Sequence, residues 1–207
     1  MRCDVNSPSS DTLETAARAI QQGQLVLHPT DTVYGLACDP LNPEALDRLF
    51  SVKGRGPDKG VLMMIPNWDL CEAVCSDIPE VFHKLASRLW PGPVTLLLHG
   101  KTSLPDLLLG SEGKVGLRHP DLSFLQLWME EIPGALASTS ANRSGQSPPA
   151  SLGELRQLLG EEVDLFLEGE EVNAHAQSST VVDLTLDPPR LVRSGQWAAH
   201  VKRCLEA

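Results

Sequence analysis

The sequence predicts a single layered α/β domain spanning residues 1–207, with its core over about residues 10–195. Two observations carry this expectation. Short apolar runs of strand length alternate with amphipathic stretches of helical period, and turn residues separate them. In addition, 207 residues with 42% hydrophobic content are enough to bury one substantial core. There is no internal repeat and no low-complexity tract.

The elements follow in order. Asp11 and Glu14 are spaced as a capping box, and Leu13, Ala16, Ala17 and Ile20 recur at helical spacing until Gly23 ends the segment. Leu25 to Leu27 reads as a short strand running into the polar loop Pro29-Thr30-Asp31-Thr32. Asn42-Pro43 opens a helix with Leu46, Leu49 and Phe50 inward, and the Lys53-Gly54-Arg55-Gly56 turn follows at once. Val61 to Ile65 is a buried strand, and Asn67 is placed to cap a short helix. Ile78, Val81, Phe82, Leu85 and Leu89 mark a longer helix that Pro91-Gly92-Pro93 must stop. Further strands are expected over Val94 to Leu98, Lys114 to Arg118 and Ala135 to Ser138, with a helix over Phe124 to Glu130. Ser151 and Glu154 form a second capping box before Leu155, Leu158 and Leu159. Thr180 to Leu184 and Arg190 to Arg193 are late strands, parted by the turn Asp187-Pro188-Pro189. Glu168 to Gln177 reads as a mobile acidic loop that could act as a lid.

Seventeen Lys and Arg against 27 Asp and Glu leave a formal net charge of −10, which opposes broad attraction to a polyanion. The five cysteines, Cys3, Cys38, Cys71, Cys75 and Cys204, are scattered without a C-x-x-C pair or a His partner at metal-ligand spacing, so reduced thiols are expected and no metal site. The N-terminal residues carry no apolar leader and no run reaches membrane-spanning length, which makes the cytoplasm the expected location.

The chemistry is concentrated in three polar stretches. None is a familiar phosphate loop: Gly113-Lys114 is followed by Val115, and no G-x-G-x-x-G occurs. G-x-S-x-G and H-E-x-x-H are also missing, which leaves a positioning enzyme as the main catalytic possibility. Lys53 and Arg55 flank a glycine, with Lys59 nearby. Taken alone, such a turn is either a solvated basic loop or a place where cations converge on phosphate oxygens. Ser138-Thr139-Ser140-Ala141-Asn142 follows a strand-like run. It is either a turn that satisfies its own backbone or a ligand loop at a strand end. The third stretch is His28-Pro29-Thr30-Asp31-Thr32-Val33-Tyr34-Gly35-Leu36. Within it Asp31 makes an Asx turn or meets a ligand ammonium, and Tyr34 is either core or pocket wall. Arg118 ends a strand as a surface ion pair or as a carboxylate partner, and Arg190 and Arg193 could be plain surface charges.

Together these motifs, with Trp90-Pro91-Gly92-Pro93-Val94-Thr95, Ser179-Thr180-Val181-Val182-Asp183 and Arg193-Ser194-Gly195, resemble the YrdC/TsaC family of threonylcarbamoyl-adenylate synthases from about Leu25 to Gly195. The resemblance implies a YrdC-like fold: a twisted mixed β-sheet flanked by helices. It implies that ATP, L-threonine and bicarbonate become L-threonylcarbamoyl-AMP and pyrophosphate, with Mg2+ accompanying ATP. It casts Lys53 and Arg55 as the catalytic cations, places Lys53, Arg55, Lys59, Asn142 and Arg193 on the nucleotide, and places Thr32, Arg118, Ser140 and Ser179 on threonine. It further implies that a partner transferase takes the intermediate to tRNA, and any direct tRNA binding by so acidic a chain should be weak. Two positions depart from the common pattern. Gly56 stands between Arg55 and Pro57, and Met64 stands where longer relatives carry a histidine. Two other readings remain: a carbamoyl-adenylate-forming relative, disfavoured by the absence of zinc-finger cysteine pairs, and a non-catalytic RNA-binding module of the same fold, disfavoured by the charge.

Overall fold

The structure, a computed structural model, describes residues 1, 4, 6–149, 151–169 and 176–206. Among these residues nine strands form one sheet: β1 (Val26–His28), β2 (Gly35–Cys38), β3 (Leu62–Met64), β4 (Val94–His99), β5 (Lys114–Arg118), β6 (Leu136–Ser140), β7 (Leu165–Phe166), β8 (Thr180–Asp183) and β9 (Arg190–Arg193). Their order is β7-β1-β2-β6-β3-β5-β4-β8-β9. The sheet is mixed, because β1–β7, β3–β5 and β4–β8 pair parallel while the other neighbours pair antiparallel. Among the described residues eight α-helices surround it: α1 (Ser10–Gln21), α2 (Pro43–Lys53), α3 (Asp69–Val74), α4 (Glu80–Leu89), α5 (Asp106–Leu109), α6 (Ser123–Glu130), α7 (Leu152–Leu159) and α8 (Ala198–Glu206).

The expected helices and strands are present, with boundaries moved by one or two residues where ends fray. Asn42 caps α2 by accepting from the Ala45 N–H at 3.1 Å, and Ser151 Oγ does the same for α7 through the Glu154 N–H. Two caps differ from expectation. The cap of α1 is Ser9, whose Oγ accepts from the Thr12 N–H, and Asp11 sits in the first turn, where a carboxylate favours the helix dipole. Asn67 accepts from the Asp69 N–H at 3.1 Å as an Asx turn, leaving Trp68 as the cap residue of α3. Strands β2 and β7 and helices α5 and α8 are additions to the expected set. β7 is two residues long and β2 is the four residues Gly35-Leu36-Ala37-Cys38, the first two of them inside the motif that ends at Leu36, so neither presents a periodic apolar run.

The two faces of the sheet are covered unequally. Leu36, Cys38, Met63, Leu96, Leu98, Leu117, Ala137 and Val182 project from one face into the larger core, against Leu46, Leu49, Phe82, Leu85, Leu89, Leu155 and Val201. On the other face Val26, Ala37, Met64 and Leu136 meet Leu13, Ala16, Ile20, Phe124 and Trp128 from α1 and α6. These two helices reach only part of that face. Cys38, Cys71, Cys75 and Cys204 are buried free thiols, and burial pushes the first three up to about 12, so they stay protonated and inert. Among the described residues no helix is long and apolar enough to cross a membrane.

Candidate active site

The part of the sheet left open by α1 and α6 is the floor of a cleft of about 400 Å³. Strand register explains which residues reach it. Cross-strand partners project to the same side, and alternation brings every second residue there. Starting from Gly35, the register passes through Ser140 and Ser138 to Leu62 and Met64, then to Gly116 and Arg118, on to Leu97 and Thr95, and ends at Val181 and Arg193. All of these line the cleft. Gly116 lies mid-floor, where a Cβ would come within 3.2 Å of Thr95 Cγ2 and 3.3 Å of Leu97 Cδ2. Its missing side chain gives the cleft depth.

The cleft concentrates positive charge. Arg55, Lys59, Lys114, Arg118 and Arg193 line it with the carboxylates Asp58 and Glu112 among the described residues, while Asp31 and Asp183 pair with Arg118 and Lys114 from outside the lining. Partial desolvation of its head group, and then repulsion from Arg118 and Arg55, holds Arg193 below the ordinary guanidinium value, although the residue as a whole is exposed. Lys114 is pinned at the rim between Glu112 at 2.5 Å and Asp183 at 2.9 Å, and these bonds raise it.

Arg118 enters the cleft from the end of β5 and is only 3% exposed. It pairs with Asp31, donates to Thr32 Oγ1 at 3.1 Å and to the Gly92 carbonyl at 3.3 Å. Asp31 therefore holds Arg118 as well as its own loop. Ser179 Oγ lies 2.9 Å from Thr95 Oγ1 and accepts from Arg193 at 2.9 Å, while Arg193 also grips the Ser179 carbonyl at 3.0 Å. The guanidinium of Arg55 donates to the carbonyls of Lys59 at 2.8 Å and Gly60 at 2.5 Å, tying back the loop that carries Lys59.

Lys53 occupies a different place. It is the last residue of α2 and is 2% exposed, and Gly54 stops the helix behind it in the left-handed conformation with φ 56°. Its Nζ donates to the carbonyls of Ser140 and Asn142 and, at 3.3 Å, to Asn142 Oδ1. The contact is reciprocal. The Ser144 N–H donates to the Lys53 carbonyl at 2.7 Å, and Arg143 donates to the Val52 carbonyl while pairing with Glu162 at 2.6 Å. Residues 143 and 144 thus supply donors for the orphan carbonyls at the end of α2. Desolvation, then repulsion from Arg55 and Arg143, pulls Lys53 down to about 8.

The cleft thus brings together Thr32, Arg55, Lys59, Arg118, Ser140, Ser179 and Arg193 from the sequence-predicted set. Lys53 and Asn142 stand behind its wall. The Asn142 amide spends its donors on the carbonyls of Arg143 at 2.8 Å and Gln146 at 2.7 Å. Tyr34 belongs to the larger core, and its hydroxyl accepts from the Gly169 N–H at 2.8 Å. Residues 170–175 of the expected acidic lid, and Cys3, lie outside the described residues. Met64, the departure noted above, lines the cleft as an apolar wall. Thr95 and Ser138 stand in recognised motifs without a site role, and neither they nor Lys114 and Asp58 were singled out from sequence as site residues. Ser138 could have been, because a strand ending in Ser-Thr-Ser turns both serines to one face.

Similarity to known proteins gives the family of the chain. The family model Sua5_yciO_yrdC, described as Telomere recombination, matches residues 18–195. The chain belongs to the Sua5/YciO/YrdC family. It is 35% identical over 185 residues to the threonylcarbamoyl-AMP synthase of Pyrococcus abyssi, covering 88% of this chain but 54% of that protein. It is also 35% identical to the protein of the same name from Pseudomonas fluorescens Pf-5 over 161 residues, covering 78% of this chain and 86% of that one. The chain therefore spans about half the length of the archaeal relative and most of the bacterial one. The structure of P. abyssi Sua5 complexed with L-threonine superposes with a TM-score of 0.87 at 32% identity, over 94% of this chain and 57% of that one. Escherichia coli YciO matches with a TM-score of 0.86 at 23% identity over 95% of this chain and 96% of its own, which supports the fold.

Proposed function

We propose that this protein is a threonylcarbamoyl-AMP synthase acting in threonylcarbamoyladenosine modification of tRNA. The observation that carries the reading is the cleft itself: among the described residues five cations and two carboxylates line it, Asp31 and Asp183 pairing with two of the cations from outside the lining, in a chain whose net charge is −10. Such a pocket focuses a polyanionic small molecule while the surface as a whole repels one. Relatives named for this activity, and one solved with L-threonine, belong to the same family.

In this reading the threonine amine takes up bicarbonate, losing water, to give N-carboxythreonine. A carbamate oxygen then attacks the α-phosphorus of ATP and pyrophosphate departs. No covalent nucleophile is required, and catalysis is positioning with electrostatic stabilisation. Arg55, Lys59 and Arg193 face the phosphates. Lys53 adds positive field from behind and, with Asn142, shapes the turn that presents Ser140. Thr32, Ser140 and Ser179 receive threonine, and Arg118 meets its carboxylate. Magnesium bound mainly through phosphate oxygens needs only one or two protein carboxylates. Asp58 and Glu112, which line the cleft, would hold it, Glu112 after giving up Lys114. Discrimination against serine rests on one methyl group, worth about 1–3 kcal/mol. The intermediate passes to a transferase partner in the cytoplasm, and the acidic surface predicts at most weak, salt-sensitive contact with tRNA.

The test is pyrophosphate release from ATP with magnesium and bicarbonate, with and without L-threonine, serine and valine. Threonine-dependent release supports the synthase. Release without threonine but with carbamoyl phosphate points to a carbamoyl-adenylate former, and tRNA binding that survives moderate salt, without turnover, points to an RNA-binding module.

A further inference from the structure

His28 has no part in the reaction described above, yet it is wholly buried at the end of β1 beside the cleft. Its ring stands edge-on to Trp128 with centroids 5.5 Å apart. Nδ1 lies 3.0 Å from the Pro29 carbonyl oxygen and Nε2 lies 3.1 Å from Ser138 Oγ. A backbone carbonyl only accepts, so Nδ1 carries the proton. Burial keeps the ring neutral by pulling its pKa down to about 4, which leaves Nε2 a bare lone pair. The Ser138 hydroxyl must therefore donate to Nε2. Gly35 makes the approach possible, since a Cβ there would lie 2.6 Å from Nε2 and 3.0 Å from Ser138 Oγ.

Ser138 lines the cleft, so a hydroxyl whose proton is committed to His28 shows the cleft only its lone pairs. The same logic fixes Thr32. Thr30 Oγ1 donates to the Val33 carbonyl at 2.7 Å, so the 2.9 Å bond between the two threonine hydroxyls is donated by Thr32. Arg118 donates to Thr32 Oγ1 from the other side. Two cleft hydroxyls thus have their protons turned away from any ligand.

Resting on the proposed reaction, we propose that His28 is a positioning residue. By taking the Ser138 proton, it makes Ser138 Oγ, with Thr32 Oγ1, an acceptor for the amine end of the amino-acid substrate. Ammonium, free amine and carbamate nitrogen all carry N–H, so the acceptors stay useful through carboxylation. A hydroxyl free to rotate could instead donate to the substrate carboxylate and admit the amino acid the wrong way round. Locking the rotor before binding avoids that alternative and its ordering cost.

The experiment uses the full chain in five forms: wild type, His28→Leu, His28→Gln, Ser138→Ala and the His28→Leu/Ser138→Ala double variant. Ring nitrogen NMR of wild type should show Nδ1 protonated and Nε2 unprotonated. In steady state the KM for L-threonine should rise about tenfold in Ser138→Ala and about threefold in His28→Leu, with the KM for ATP unmoved. His28→Gln, whose amide oxygen can replace Nε2 as acceptor, should recover most of the loss. The double variant should be no worse than Ser138→Ala. A protonated Nε2, an unmoved threonine KM in His28→Leu, or effects that multiply in the double variant would overturn the inference. If His28→Leu does not fold, Ser138→Ala and His28→Gln carry the test. If wild type releases no pyrophosphate with threonine, the proposed reaction falls, and the ring spectrum with calorimetric L-threonine binding to the same variants still decides the inference.

Discussion

Replacing Lys53 by methionine keeps an unbranched apolar stem and removes the ammonium, and the consequences for stability and activity should part company. Two effects on stability oppose each other. The fall of the Lys53 pKa from 10.5 to about 8 corresponds to about 3 kcal/mol of penalty on its buried charge, which the apolar side chain relieves. Against this, the Asn142 carbonyl and Oδ1 lose their donor, while the Ser140 carbonyl keeps the Asn142 N–H at 2.9 Å. Two buried acceptors left bare cost about 1–3 kcal/mol each. The net expectation is a protein between about 1 kcal/mol more stable and about 3 kcal/mol less stable. Turnover should fall much further, by about 10²–10³-fold, because the turn presenting Ser140 loses its anchor and the phosphates lose a charge. Urea unfolding and threonine-dependent pyrophosphate release measure the two quantities. A loss of stability beyond about 5 kcal/mol would show that Lys53 serves the fold and not the reaction. Turnover within about threefold of wild type would refute the assignment outright.

Three further outcomes are expected. Asp31→Ala leaves the 3% exposed Arg118 without its carboxylate and should cost about 3–5 kcal/mol in chemical denaturation, with part of the loss recovered by saturating L-threonine if the substrate carboxylate takes the vacant place. For free enzyme, kcat/KM for ATP should fall on the alkaline side with an apparent pKa near 8 as Lys53 discharges. Since its folded pKa lies below the unfolded one, the cost of burying that charge is full below about pH 8. That cost is relieved as pH rises toward 10.5, so wild type should gain stability across that window and Lys53→Met should not. Gly116→Val puts a side chain on the cleft floor within 3.2–3.4 Å of Thr95, Leu97 and Leu62. Equilibrium binding should show both substrates weakened at a stability cost of about 1–3 kcal/mol.

Much of the site was legible because its parts are local in sequence. The Lys53-Gly54-Arg55 turn, the Ser140-Ala141-Asn142 turn and the Thr32 loop each occupy a few consecutive residues at an element end, where polar side chains interrupt apolar periodicity. What could not be read is how these pieces divide their labour. Lys53 and Arg55 are two residues apart, yet a helix end and a left-handed glycine send one under the wall and the other into the cleft. Asn142 likewise spends its amide on its own turn. His28 heads its stretch with no role legible there, because its partner Ser138 is 110 residues away.

By itself the sequence determined the layered α/β class, most elements and the chemistry available, since periodicity, caps and turn residues act over a few positions. The antiparallel insertion of β6 between β2 and β3, the reach of α1 and α6 over only part of one face, and the polarity of the cleft hydroxyls were decided by the tertiary structure. The physical reason is that register and hydrogen-bond direction belong to pairs of groups that only folding brings together. A strand dictates which of its residues share a face, but its neighbours decide whether that face meets a helix or a ligand.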